Sequence, residues 1–129
     1  MDVIHLKTTP KTVDTAVEDL TAAVEKHKFG VLHIHDLQAT MKEKGVDFPH
    51  ACQVLEVCNP HHAARILTTD LRVSLALPCR ITVYEEDGQT KVGTLLPTQL
   101  MSVFGNDAGM LAVAREVEDD ILAMIEDAL

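Results

Sequence analysis

A thiol, a carboxamide and two imidazoles fall within five positions in the stretch EVCNPHHAARIL, Glu56 to Leu67. If Asn59 caps a helix that starts at Pro60, Cys58 sits beside a helix N-terminus, where the dipole and free N–H groups stabilise a thiolate. A thiol so placed can act as a nucleophile, a redox sensor or a soft-metal ligand. Glu56 interrupts the apolar run VLEVC. It either faces solvent or lines a polar pocket beside Cys58, and burial there would raise its pKa toward general acid–base use. Cysteine also packs as a small hydrophobe, so an inert Cys58 stays open beside a reactive one.

Other residues capable of chemistry are more scattered. Cys79 shares strand parity with Ile81 and Val83, which points it into a core. If Leu55 and Val57 face inward, then Cys52, Val54, Glu56 and Cys58 point the other way, and parity alone does not bring Cys58 and Cys79 together. His33 and His35 alternate along FGVLHIH on one face and could offer two imidazoles to a metal. No Cys-x-x-Cys or His-Glu-x-x-His spacing accompanies them. His61 and His62 fall in the first turn of a helix, where neutral, exposed rings are expected. No glycine-rich phosphate loop, Gly-x-Ser-x-Gly elbow or catalytic triad order is present.

The elements that must hold these residues follow from periodicity. VIHLKT reads as a strand. Thr9 and Pro10 are expected to cap and start a helix with Val13, Ala16, Val17, Leu20 and Val24 on one face, ending near His27. FGVLHIH reads as a strand with Leu32 and Ile34 on one side and Val31, His33 and His35 on the other. DLQATMKEKG reads as a short helix capped by Asp36 and closed by Gly45, and ACQVLEVC as another strand. The helix from Pro60 should stop near Thr69. LPCRITVYEEDGQTKVGTLLP is a hairpin turning at Asp87-Gly88, the pair favoured where φ must be positive. A short helix starts at Pro97. From Met110 to Leu129 a long amphipathic helix presents Met110, Val113, Ala114, Val117, Ile121, Met124, Ile125 and Ala128 as one apolar face. Leu111, Leu122 and Leu129 form a second row, an unexplained patch that a symmetric partner could cover.

Composition bounds the function classes. The chain has 129 residues, 47% hydrophobic and 24% charged, the size of one globular domain. A net charge of −9 with three Phe, one Tyr and no Trp argues against nucleic acid, which needs cationic surface and stacking platforms. No apolar run approaches the ~20 residues of a membrane span, and the opening MDVIHLKTTPKT lacks the regions of a signal peptide. Three cysteines, an odd number, fit free thiols in a reducing, cytoplasmic setting.

The strings FGVLHIHDLQATMKEKGVDF, VLEVCNPHHAARIL, LPCRITVYEEDG and TLLP, in that order, resemble the domain of unknown function 302 family across essentially the whole chain. That resemblance implies a single domain over residues 1–129 with a β-α-β(4)-α arrangement similar to the TATA-binding-protein-like architecture. It also implies a homodimer, with no settled biochemical activity and no cofactor it would specify. The element pattern independently gives an α+β fold, helices packed on a mostly antiparallel sheet. The function expected is a small cytoplasmic binding module for a small ligand or metal at the junction of Glu56, Cys58 and Asn59, with Cys79 as a further candidate. Its rivals are a thiol-dependent redox or transfer enzyme using Cys58, and an interaction module without a small-molecule site.

Overall fold

The computed structural model describes residues 2–129. Five strands form one antiparallel sheet in the order β1-β5-β4-β3-β2: β1 (Ile4–Thr9), β2 (Gly30–Asp36), β3 (Cys52–Cys58), β4 (Cys79–Glu86) and β5 (Gln89–Leu95). Between them run α1 (Val13–Lys26), α2 (Leu37–Glu43), α3 (Pro60–Thr69) and α4 (Pro97–Met101), and α5 (Ala108–Ala128) closes the chain. Short 3-10 turns at Leu71–Leu75 and Ser102–Phe104 follow α3 and α4. With the short helices read as insertions, the order is β-α-β(4)-α, an α+β fold as expected.

The local rules that form these elements hold with two exceptions. Helix α1 is capped by Thr12, whose hydroxyl accepts from the Thr15 N–H at 3.2 Å, and not by Thr9. Thr9 instead ends β1, buried, and donates its hydroxyl to the Leu129 carbonyl at 2.9 Å. The strand continues one pairing beyond the sequence expectation, to Thr90 of β5, and so consumes the residue that looked like a cap.

The second exception lies in β2. Val31 pairs with Val57, but His33 pairs with Glu56, so Leu32 is an extra residue without a partner. This bulge reverses the expected parity: Val31 joins Ile34 against the core, and Leu32 protrudes 60% exposed. His33 and His35 share a face, as expected.

Residues of Leu55, Val57, Ile81, Val83 and Val92 on one sheet face are buried with the apolar faces of α1 and α5. Every residue expected on those two helix faces is buried. The β4–β5 hairpin turns through Asp87 at φ 53° and Gly88 at φ 76°, the positive pair its sequence demands. In α5, Leu111, Leu122 and Leu129 are half-buried, and Leu111 and Leu129 pack against the core. The expected exposed leucine row is therefore absent: Leu111 lies beside Thr98 and Gln99 of α4, and the Leu129 carbonyl accepts from Thr9 at the end of β1.

Candidate functional site

The sheet and the helices leave a cavity of about 290 Å³ where β3 ends and β4 begins. Its floor is Val57 and Cys79, which are cross-strand partners, and α3 and α5 contribute Ile66, Ala114 and Val117. Pro97 and Met101 of α4 and Leu77 and Pro78 before β4 complete the wall. No Asp, Glu, Lys or Arg lines it. The polar groups present are two thiols, one imidazole, one hydroxyl and one carboxamide.

Cys58, Asn59 and Cys79 all line this cavity. Alternation along β3 points Cys58 away from Val57, but Cys58 is the last residue of the strand, and the cavity lies at the end of the sheet. There the backbone is leaving the pleat for α3, and residues of both parities reach the same space. Glu56, two residues earlier, is still governed by the pleat and points to the opposite sheet face. Its carboxylate lies 3.1 Å from His35 Nε2 and 3.7 Å from Arg80 Nε. The expected junction of Glu56, Cys58 and Asn59 is thus divided between two faces.

The Asn59 cap is formed. Its Oδ1 accepts from the N–H groups of His61 and His62 at 3.0 and 3.2 Å, and its carbonyl takes the Ala63 N–H. Pro60 has no N–H to give. Every donor of the first turn is therefore occupied or missing, and none is left to stabilise a thiolate at Cys58. Burial pushes the Cys58 thiol up, opposite to the lowering expected from the helix terminus. Cys79 is pushed further, to about 11, by burial first and then by the neighbouring charge of Cys58. Cys52, on the other face beside Thr82, is also raised by burial.

His62 is a wall residue that sequence reasoning placed in solvent. Its ring stands 6.1 Å from the Phe29 ring, and its Nδ1 is buried without a hydrogen-bond partner, 3.6 Å from Glu116 Oε2. The signal was available: His62 lies four residues before Ile66, the buried position of α3, and so on the same helical face. His33 and His35 lie on the opposite sheet face with ring centroids 4.3 Å apart. Among the described residues no three His, Cys, Asp or Glu side chains converge as a metal site requires.

Comparisons with known proteins bear on the whole chain. The model of a family described as domain of unknown function DUF302 matches residues 5–128. None of the curated proteins matches the chain. Among solved structures, the chain is similar to the crystal structure of an uncharacterized conserved DUF302 protein from Bacillus stearothermophilus. The two share 32% sequence identity over 100% of each chain, with a TM-score of 0.93.

Proposed function

The chain belongs to the DUF302 family, and from that premise and the shape of the cavity where β3 ends we propose that it binds a small, uncharged, largely apolar molecule between β3, α3 and α5. The carrying observation is a cavity of about 290 Å³ walled by aliphatic and aromatic side chains without a single charged group. Ligand pockets run from ~300 Å³ upward and combine apolar walls with a few polar groups, so this one suits a ligand at the small end of the range. His62, Ser74 and the two neutral thiols supply the polar contacts. A charged ligand would leave water for a wall that offers it no counter-ion. Among the described residues no helix is long and apolar enough to cross a membrane.

The thiols belong to this reading as neutral wall groups. Raised thiol pKa values and a helix N-terminus already closed by Asn59 work against Cys58 as a nucleophile at neutral pH. The experiment is a titration with N-phenylnaphthylamine, an uncharged dye that fluoresces in apolar surroundings. Saturable binding at one dye per chain is expected, lost in an Ala63→Phe variant whose circular dichroism is unchanged. Native mass spectrometry of protein from its own cells would then weigh the natural ligand. No saturable binding in the parent, or equal binding in the variant, would sink the reading.

A further inference from the structure

The strong hydrogen-bonding groups of the cavity wall are not spread around it. Asn59, the cap of α3, and His62, three residues on, are neighbours at the start of that helix, and both line the cavity. Ser74 is exposed, so water competes for its hydroxyl, and the thiols of Cys58 and Cys79 are weak partners. The rest of the wall is apolar. A molecule in the cavity therefore meets its best polar partners at one place.

Each of these two side chains has one atom already committed. Asn59 Oδ1 accepts the backbone N–H groups of His61 and His62 at 3.0 and 3.2 Å, which fixes how the amide is turned. The group left for a ligand is Nδ2, a donor. His62 Nδ1 is buried and lies 3.6 Å from Glu116 Oε2, a carboxylate oxygen that also sits 3.4 Å from Arg65 Nη1. In a neutral imidazole one nitrogen carries the proton and the other a lone pair. A lone pair on Nδ1 would face the carboxylate and be repelled, whereas an N–H there is attracted, so the proton belongs on Nδ1 and Nε2 is an acceptor. We infer that the cavity recognises a hydroxyl group: its ligand is a small alcohol or phenol whose O–H donates to His62 Nε2 and whose oxygen accepts from Asn59 Nδ2.

A hydroxyl is donor and acceptor at a single uncharged atom, so it satisfies both partners and leaves the rest of the ligand free to be apolar, as the wall requires. An ether or ketone offers only an acceptor and leaves His62 Nε2 without a donor, and a site built to pair with a hydroxyl discriminates against the analogue that lacks it. A carboxylate would set its charge against the Nε2 lone pair in a wall without a cation. Glu116 does not line the cavity. It is a positioning residue, which acts by setting the nitrogen of His62 that holds the proton. The inference rests on the ligand reading above and adds the chemical group by which the ligand is held.

The test is displacement of N-phenylnaphthylamine from the full chain, at mildly alkaline pH, by three probes of similar shape. These are p-cresol, with a hydroxyl, p-methylanisole, with an acceptor only, and p-xylene, with neither. Because water holds the probes unequally, the quantity compared between parent and variant is each probe's affinity relative to p-xylene. In His62→Phe, which keeps a ring beside Phe29, the p-cresol ratio should fall at least about threefold, the loss of one hydrogen bond, while the p-methylanisole ratio holds. In Asn59→Asp, which keeps a cap oxygen and loses the amide donor, the p-methylanisole ratio should fall. An unchanged p-cresol ratio in His62→Phe overturns the inference and leaves the ligand reading standing, since the probes would still displace the dye. An unchanged p-methylanisole ratio in Asn59→Asp likewise removes the donor half of the pair. A parent that binds neither dye nor probe removes both readings. Long-range proton–nitrogen NMR correlations should place the His62 proton on Nδ1 in the parent and shift it toward Nε2 in Glu116→Ala. A parent with the proton on Nε2 overturns the acceptor role, and a tautomer unmoved in Glu116→Ala overturns the positioning role of Glu116.

Discussion

Glu118 of α5 accepts hydrogen bonds from both the backbone N–H and the hydroxyl of Thr98 in α4, at 3.1 and 2.7 Å. Leu96, the residue before α4, offers no side-chain cap, and Pro97 has no N–H. A carboxylate from another helix therefore completes the start of α4, and it is itself buried. This bond holds Met101 in the cavity wall. Replacing Glu118 with Ala should cost about 1–3 kcal/mol by orphaning a shielded donor. Glu118→Gln, which keeps an acceptor oxygen, should cost less. Urea denaturation measures both, and equal losses would contradict the capping role.

The Asn59 cap predicts two linked effects. Asn59→Ala should lower stability by about 1 kcal/mol. It should also free the His61 and His62 N–H groups beside Cys58, so alkylation of that thiol by iodoacetamide should speed up relative to the folded parent. A parent Cys58 that reacts as fast folded as unfolded would contradict the raised pKa.

Cys79 gives a pH dependence. Its thiol moves from an ordinary 9.0 to about 11 in the folded chain. Below pH 9 both states keep the proton and the fold has its full stability. Between 9 and 11 the unfolded chain releases its proton while the folded chain holds it, so stability falls as pH rises. Two pKa units correspond to roughly 2–3 kcal/mol. Urea midpoints taken across this range should fall more steeply for the parent than for Cys79→Ala. Parallel profiles would show that Cys79 titrates normally.

Glu56 sits on the sheet face opposite the cavity. Glu56→Ala should therefore leave N-phenylnaphthylamine affinity unchanged, and its loss of stability should stay near or below about 1 kcal/mol, since its partner His35 is half-exposed and Arg80 exposed. A loss of dye binding in this variant would return Glu56 to the site.

Some of this protein was determined by its sequence alone. Asn59 and Pro60 start α3, Asp36 starts α2, Asp87-Gly88 turns the hairpin, and the apolar faces of α1 and α5 lie where their spacing puts them. Each depends on hydrogen bonds or periodicity within a few residues, so the local sequence contains the whole cause. Family resemblance was legible too, because its strings run along most of the chain. Only the tertiary structure decided that Thr9 stays in β1, that Leu32 bulges, and that Cys58 and Cys79 share one cavity while Glu56 does not. Those outcomes turn on strand register and on where the pleat ends. They are set by partners far away in sequence: Thr9 by Thr90 and Leu129, Leu32 by the pairing of its neighbours with Val57 and Glu56, and the cavity by helices that arrive from both halves of the chain. The leucines of α5 make the same point, since one helix's periodicity cannot tell which of its faces another segment of the chain will cover.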